Sequence, residues 1–318
     1  MTNIGYALSS EEHDAPSLVR YARGAEEAGF DFLMISDHFH PWTDRQGNSP
    51  FVWGVLGAVA EATERIPIGT GVTCPIVRIH PAIVAQAAAT AAQLLPGRFW
   101  LGLGTGENLN EHVIGEGWPA ADERVEMLGE AIEIIRELWT GEDTTKRGEY
   151  FTVEQARIYS MPDQPPPIYV AAKGERAIAL ARENDGLIST VPDADVVKKF
   201  SRNGGKTKPK IAMLHVCWAE DEATARKTAL EWWPNSALPG ELSVELPLPR
   251  HFEQAAGLLS EDDVCKELTC GPDVEQHLEA IATYRDAGYD HVYVHQIGPD
   301  QEGFLDFYER EILSEARG

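Results

Sequence analysis

Short apolar segments alternate with amphipathic helical segments along almost all of this 318-residue chain. Strands that are apolar throughout and separated by helices are typical of a parallel sheet covered by helices on both faces. The segments predicted as strands are NIGYAL, FDFLMIS, IPIGTGV, RFWLGLGT, PPIYVAA, DGLIST, KIAMLHVCWA and HVYVHQI. Eight such units in about 300 residues favour a (β/α)8 TIM barrel over an open doubly wound sheet.

The segment 234–270 interrupts this alternation. It is too long for a simple connection, and we expect an inserted helical lid or flap before the last strand. Residues 1–318 are accordingly expected to form a single barrel domain that contains this insertion. A polar stretch, residues 143–167, has no helix or strand pattern, and we expect no regular secondary structure there.

The chain is strongly acidic, with 51 aspartates and glutamates against 27 lysines and arginines and a net charge of −24. Such a surface repels nucleic acid and anionic membranes, so neither is expected as a partner. No apolar run approaches the roughly 20 residues that span a bilayer, and the N-terminus lacks a secretory signal pattern. Four cysteines without a CxxC pair indicate a reduced, cytoplasmic protein. A surface adapted to a salt-rich cytoplasm and an ordinary acidic enzyme both remain open.

Polar residues at the ends of the predicted strands are the candidates for function, because barrel active sites lie there. The segment SDHFHPW follows the second strand. One interpretation is a metal site on His38 and His40, and the other is a histidine base beside the aromatic wall of Trp42. A metal site needs further ligands, and among the other histidines only His215 and His295 come near strand ends. The base is therefore favoured and no metal is expected.

Two further strand ends carry unusual residues. In GTGENLNE, after the fourth strand, glycines let the backbone approach a ligand and place Glu107 beside it. In AAKGE, after the fifth, a helix begins whose N–H groups and Lys173 could attract phosphate. The chain has no GxGxxG after its first strand and no GxxxxGK[ST], which excludes Rossmann and P-loop sites.

Together these segments resemble the luciferase-like oxidoreductases that use the deazaflavin coenzyme F420, in the branch typified by F420-dependent glucose-6-phosphate dehydrogenase. The resemblance runs nearly end to end. It is carried by SDHFHPW, IGTGVTCP, HPAIVAQAAAT, FWLGLGTGENLNE, YVAAKGE and HVYVHQIGPDQEGFLDFY. It implies a luciferase-like barrel, F420 as cofactor and a dehydrogenase acting on alcohol groups. A homodimer is also expected.

The resemblance assigns roles to individual residues. His38 matches the catalytic base, Trp42 the aromatic wall beside the reacting carbon, and Glu107 the acid at the deazaflavin ring. Gly71 and Val72 match a non-prolyl cis peptide behind the ring. The residues that match cofactor contacts are Asp37, Gly71, Val72, Cys74, Thr105, Gly106, Asn110, Ala172, Lys173 and Gly174. Burial is expected to raise the pKa of Glu107 toward the role of an acid.

The family's phosphate-binding cations are replaced in this chain. The matching positions hold Asp193, Gln254 and Glu267, and His40 is expected to be a lesser pocket residue or simply a surface one. A dianionic phosphate would meet repulsion there, so we expect the substrate to be an unphosphorylated sugar or a secondary alcohol. The alternatives are a sugar phosphate held by other cations (Lys173, Lys198 or Arg250), an FMN-dependent monooxygenase, and a zinc hydrolase.

Overall fold

Eight parallel strands close into a barrel in the computed structural model, which describes residues 2–317. Strand β1 (Asn3–Leu8) pairs with β2 (Phe32–Ile35) and with the last strand, β11 (His291–Gln296), and the pairing of β8 (Gly186–Ser189) with β9 (Lys210–Cys217) completes the ring. Each predicted strand is present, and the predicted (β/α)8 barrel is confirmed. The barrel strands are β1 (Asn3–Leu8), β2 (Phe32–Ile35), β3 (Ile68–Thr70), β4 (Phe99–Leu103), β7 (Ile168–Ala171), β8 (Gly186–Ser189), β9 (Lys210–Cys217) and β11 (His291–Gln296).

Helices surround the barrel and fill most connections between its strands. They are α1 (Ala15–Ala28), α2 (Val52–Ala62), α3 (Pro81–Leu94), α4 (Asn108–Glu111), α5 (Ala121–Leu138), α6 (Glu175–Glu183), α7 (Ala194–Phe200), α8 (Glu222–Trp232), α9 (Leu242–Glu245), α10 (Pro249–Ala256), α11 (Glu261–Val264), α12 (Val274–Asp286), α13 (Gln301–Phe307) and α14 (Leu313–Ala316). No helix within residues 2–317 is long and apolar enough to cross a membrane.

The sequence of α1 shows why these helices begin and end where they do. The side chain of Asp14 caps its N-terminus by accepting a hydrogen bond from the N–H of Ser17. Gly29 ends it with a φ of +89°, a conformation that glycine adopts at little cost. The buried face of the helix, which includes Leu18 and Ala22, packs into the main core.

Side chains that point into the barrel form a separate apolar cluster. Phe32 of β2 contacts Trp100 of β4 with ring centroids 5.8 Å apart, although β3 lies between these strands. Gly69 of β3 allows this contact, since a Cβ there would lie 1.8 Å from the Trp100 indole nitrogen. Ile211 and Tyr293 belong to the same cluster. The lower part of the lumen is therefore filled, and the site lies above it, at the C-terminal strand ends.

Several elements lie where the sequence pattern assigned none. A two-stranded antiparallel hairpin, β5 (Thr144–Arg147) and β6 (Thr152–Ala156), occupies the polar stretch 143–167. Its strands are short and largely exposed, so they lack the apolar run that identifies a barrel strand. Helix α12 leads into the last strand. A short strand, β10 (Thr269–Cys270), pairs with the end of β9.

The segment 234–270, called the insert below, is mostly helical. It begins with a 3-10 turn, Pro234–Ala237, and contains α9, α10 and α11 before it ends at β10. Phe252 and Val264 are completely buried and tie it to the rest of the molecule.

Candidate active site

His38, which follows β2, lies beside a buried carboxylate and a tryptophan. Its Nε2 is 3.3 Å from Oε1 of Glu11, and its Nδ1 is 3.3 Å from the carbonyl oxygen of His40. The ring meets that of Trp42 edge-on at 5.1 Å between centroids. The structure therefore brings together the predicted base and the predicted aromatic wall.

Glu11, which comes from the segment after β1, is held firmly in place. Its Oε2 accepts hydrogen bonds from the hydroxyls of Ser36 at 2.5 Å and Ser9 at 3.1 Å. Burial opposes ionisation of this carboxyl, but the adjacent His38 ring and the Ser36 hydroxyl hold its pKa below its ordinary value. His38 consequently faces a fixed negative charge.

Asn110 joins the segment after β4 to the segment after β2. Its side-chain oxygen accepts the N–H groups of Phe39 at 2.9 Å and His40 at 3.1 Å. Its amide nitrogen donates to Oε2 of Glu107 at 3.3 Å. Glu107 itself is only half-buried at the start of α4, less than the burial expected from its sequence. The two segments that carry the predicted base and acid are thus directly connected.

A buried charge cluster lies behind these segments. The guanidinium of Arg78 donates to Oδ1 of Asp37 at 2.9 Å. The backbone N–H of Arg78 donates to Oε2 of Glu111 at 2.7 Å. Thr73 donates to the other oxygen of Asp37 at 2.7 Å. The carboxylate of Asp37, predicted to contact the cofactor, is thus occupied by protein partners. Burial, reinforced by the charge of Glu107, raises the pKa of Glu111 to about 7 despite Arg78.

Cys74 and Gly106 pack against each other beside this cluster. Gly106 has a φ of +70°, and a Cβ on it would lie 2.6 Å from the Cys74 sulfur. Glycine is therefore required at this position by the protein's own packing, in addition to any ligand. Burial raises the pKa of the Cys74 thiol well above its ordinary value, so the thiol stays protonated. Thr105, which precedes Gly106, is half-buried.

The peptide bond between Gly71 and Val72 is cis, as the resemblance implies. Val72 packs on the lumen cluster with Met34, and a Cβ on Gly104 would lie 2.6 Å from its side chain. The segments after β3 and β4 are therefore in close contact below the site.

The loop after β7 is open to solvent. Ala172 is buried, but Lys173 and Gly174 are exposed. Gly174 occupies the N-cap position of α6 without a side chain to cap it, so the first N–H groups of this helix remain available to a ligand.

The insert contacts both segments that carry the predicted catalytic residues. Phe252 meets Trp42 edge-on at 5.2 Å between ring centroids. The carboxylate of Glu253 accepts the N–H of Asp44 at 3.1 Å. On the other side, the carbonyl oxygen of Glu245 accepts a hydrogen bond from Asn108 at 3.0 Å.

The predicted substrate residues are more scattered. Asp193 caps helix α7, with Oδ1 accepting the N–H groups of Asp195 and Val196. Gln254 and Glu267 are exposed on the insert. His40 lies with Nδ1 2.9 Å from the carbonyl oxygen of Leu109, which gives it a role in joining the loops. Binding of substrate by these residues stays a prediction.

A second histidine cluster was missed as a unit by sequence reasoning. His295 of β11 contacts Glu12 through Nε2 at 2.7 Å and His215 of β9 through Nδ1 at 2.8 Å. Trp233 packs on His295 at 4.4 Å between ring centroids. The signal was present in SSEEHD, the segment after β1 that supplies Glu11 and Glu12. Within residues 2–317, no group of three or more His, Cys, Asp or Glu residues could hold a metal ion.

Residues 1–291 match the family model described as luciferase-like monooxygenase. A Microbacterium testaceum protein named F420-dependent glucose-6-phosphate dehydrogenase is 38% identical, over 99% of this chain and 97% of its own length. An F420-dependent hydroxymycolic acid dehydrogenase of Mycobacterium tuberculosis is 39% identical, over 99% of this chain and 88% of its own.

Among solved structures, an F420-dependent secondary alcohol dehydrogenase in complex with an F420-acetone adduct superimposes with a TM-score of 0.92. It is 29% identical, and the match covers 100% of this chain and 99% of that one. An F420-dependent tetrahydromethanopterin reductase from Methanopyrus kandleri shares the fold, with a TM-score of 0.78 at 21% identity over 98% and 99% of the two chains.

Proposed function

Because this chain belongs to the luciferase-like monooxygenase family, we propose that it is an F420-dependent dehydrogenase acting on a CH–OH group. The named relatives are F420-dependent dehydrogenases of glucose 6-phosphate, of hydroxymycolic acid and of secondary alcohols. The observation that carries the proposal is His38 held between Glu11 and Trp42 at the mouth of the barrel. A base next to an aromatic wall suits removal of a proton from a bound alcohol.

His38 is proposed to take the hydroxyl proton. The Glu11 carboxylate can only accept, so Nε2 of His38 carries the proton that faces it, and Nδ1, 3.3 Å from the carbonyl oxygen of His40, is the nitrogen proposed to take the hydroxyl proton. The imidazolium that forms would be stabilised by that charge, so Glu11 acts as a positioning residue. The bound deazaflavin supplies the hydride acceptor. Glu107 is proposed as the proton donor near the acceptor ring, oriented by Asn110.

The residues present fit a phosphorylated cofactor. Lys173 and the uncapped start of α6 offer a cation and N–H donors at the loop after β7. Val72, Gly104 and Gly106 would lie against its ring system. Thr105, Ala172 and Gly174 are proposed as further contacts. The contacts of Asp37 with Arg78 and Thr73 support an indirect role for this residue, in shaping the floor of the site.

We propose that the insert is a lid over the substrate. Its contacts with Trp42 and Asn108 support this, because they join it to both predicted catalytic segments. The insert carries seven acidic residues and two basic ones. A negatively charged lid favours an uncharged sugar or alcohol over a phosphate ester.

Two alternative functions are a sugar-phosphate dehydrogenase and an FMN-dependent monooxygenase. A sugar phosphate would be the substrate if Lys173, Lys198 or Arg250 reached it, and the named glucose-6-phosphate dehydrogenases support this alternative. An FMN-dependent monooxygenase is the other alternative, but a Baeyer-Villiger monooxygenase in complex with FMN is only 17% identical to this chain, a likeness that supports the fold alone. We also place the protein in the cytoplasm, where its four free cysteines would stay reduced.

The proposal is tested by titrating the purified protein with F420 and with FMN. Sugars, sugar phosphates and secondary alcohols are then screened for loss of the F420 absorbance near 420 nm. Tight binding of F420 and its reduction by an uncharged alcohol or sugar is the expected result. Binding of FMN alone, with consumption of oxygen, would overturn the proposal.

We further propose a homodimer formed through α2 and α3. These helices contain one charged residue, Glu61, although 25% of the chain is charged. Ile83 and Leu94 are 57% and 46% exposed on this surface. In so acidic a protein, a surface almost without charge suits a second copy of itself. Ile83→Glu should shift the mass in light scattering to a monomer, whereas Leu258→Glu on the insert should not.

A further inference from the structure

The lumen of the barrel carries two further histidines, His215 and His295, near its C-terminal end. Side chains alternate along a strand, so His215 lies on the same face of β9 as Ile211, which belongs to the lumen cluster. His295 likewise follows Tyr293 on β11. Both histidines therefore point into the barrel near its C-terminal end, above the packed lower layer.

The hydrogen bonds of His295 determine the protonation of His215. The carboxylate of Glu12 accepts the N–H of Gly298 at 2.8 Å and lies 2.7 Å from Nε2 of His295. A carboxylate accepts hydrogen bonds, so Nε2 of His295 is the donor. In a neutral ring Nδ1 of His295 must then accept, and the nitrogen 2.8 Å away, Nδ1 of His215, must donate.

The remaining nitrogen of His215 is left without a proton. Burial and the nearby His295 lower the pKa of His215 well below its ordinary value, so the ring is neutral at neutral pH. With its proton on Nδ1, Nε2 is an acceptor. Nε2 of His13 is a buried atom without a hydrogen-bond partner. Nε2 of His215 does not belong to the buried, unpaired atoms, and the His215 side chain is partly exposed. The free acceptor therefore opens into the mouth of the barrel.

The surroundings of His215 are aromatic. Trp233 lies 5.8 Å from His215 between ring centroids, and Trp42 packs on the same apolar cluster as Trp233. Trp42 also contacts His38, the proposed base. An acceptor for a hydroxyl thus lies on the aromatic cluster that Trp42 joins to the base, next to indole faces, which suit the C–H face of a sugar ring.

Resting on the proposed function, we propose that Nε2 of His215 accepts a hydrogen bond from a second hydroxyl of the substrate and thereby selects a polyhydroxylated ring over a simple alcohol. The chain of hydrogen bonds from Glu12 through His295 to His215 fixes the tautomer of His215. His38 takes the proton of the reacting hydroxyl. A site built to bind a hydroxyl discriminates strongly against a ligand that lacks it, because its buried polar groups are then left unpaired.

Two variants separate the two nitrogens of His215. In His215→Asn the amide replaces the Nδ1 side of the ring and the acceptor is lost, whereas in His215→Gln the amide reaches the position of Nε2. Binding of glucose is followed by tryptophan fluorescence, and the kcat/KM values for glucose and cyclohexanol are compared, with the F420-loaded protein in both assays. Binding of F420 itself is titrated as a check of folding.

We expect His215→Asn to weaken glucose binding and to lower the glucose-to-cyclohexanol ratio of kcat/KM roughly 10- to 100-fold. His215→Gln should restore much of the ratio, and F420 affinity should be unchanged in both. An equal loss for glucose and cyclohexanol, no loss at all, or a wild-type protein that binds no glucose would each overturn the inference. Absence of F420 reduction with every alcohol, while glucose binding still depends on His215, would instead contradict the proposed function alone.

Discussion

The two sides of the candidate active site are built in different ways. One side, called the inner wall here, consists of segments 36–42, 71–78 and 104–111, and buried hydrogen bonds such as those of Asn110 and Arg78 hold it together. The other side is the insert, whose short helices are fixed by apolar contacts such as that of Phe252 with Trp42. Charged groups of the insert are mostly exposed.

This difference separates chemistry from substrate choice. Proton transfer needs groups fixed to within fractions of an ångström, which the buried network of the inner wall provides. A lid with exposed charges tolerates substitution, since most surface changes cost little stability. We therefore expect changes in the inner wall to lower turnover or stability, and changes around the insert to alter substrate preference.

The largest effect is expected at His38. His38→Ala should slow turnover roughly 10²–10⁴-fold, the usual range for a lost general base, and leave F420 affinity nearly intact. Single-turnover reduction of F420 measures the rate, and fluorescence titration measures the affinity. His40→Ala is the control, because His40 lies with its ring nitrogen on the carbonyl of Leu109, and it should lose far less. Near-normal turnover in His38→Ala would remove His38 from the mechanism.

The next largest effect concerns Arg78. Arg78→Met leaves the buried carboxyl groups of Asp37 and Glu111 without their cation, which should cost roughly 3–5 kcal/mol of unfolding free energy. Urea denaturation measures this loss. Arg20→Met, which breaks the exposed pair with Glu302, should change the midpoint little. If both variants unfold at similar urea concentrations, the buried cluster is not what holds the inner wall together.

A smaller loss is expected at Glu107. Glu107→Gln keeps the shape and the contact with Asn110 but removes the proton that the side chain is proposed to supply, so turnover should fall about 10²-fold. Rapid-mixing reduction of F420 at saturating substrate isolates this step. A defect confined to F420 affinity would make Glu107 a binding residue.

The sequence predicts the inner wall better than it predicts the contacts made across the barrel. Apolar runs identify the eight strands, and their ends place His38 and Glu107 at the site. The partner of His295 is Glu12, 283 residues away, and this contact exists only because β11 pairs with β1. The pairing of Asp37 with Arg78 likewise depends on how two loops pack. Local patterns contain no information on such distant pairs.

The insert and the polar hairpin are harder to predict from the sequence for a related reason. The hairpin β5–β6 has polar, exposed strands stabilised by side chains such as Glu130, whose carboxylate accepts the N–H groups of Tyr150 and Phe151. The length of the insert indicated an inserted segment. Its four short helical pieces, each of eight residues or fewer, take their positions from contacts with Trp42 and α8, and sequence spacing alone does not reveal these contacts.

The smallest effect, a change of preference, is expected at Asp193. Asp193→Lys replaces a negative charge in the loop after β8 with a positive one, so kcat/KM for glucose 6-phosphate relative to glucose should rise about 3- to 10-fold. Asp193 also caps α7, and lysine loses that cap at a cost of about 1 kcal/mol. Asp193→Asn is the matched control, since asparagine caps a helix well and removes only the charge. It should shift the ratio in the same direction but less. An unchanged ratio in both variants would show that Asp193 does not face the substrate, and the preference would then depend on the acidic insert alone.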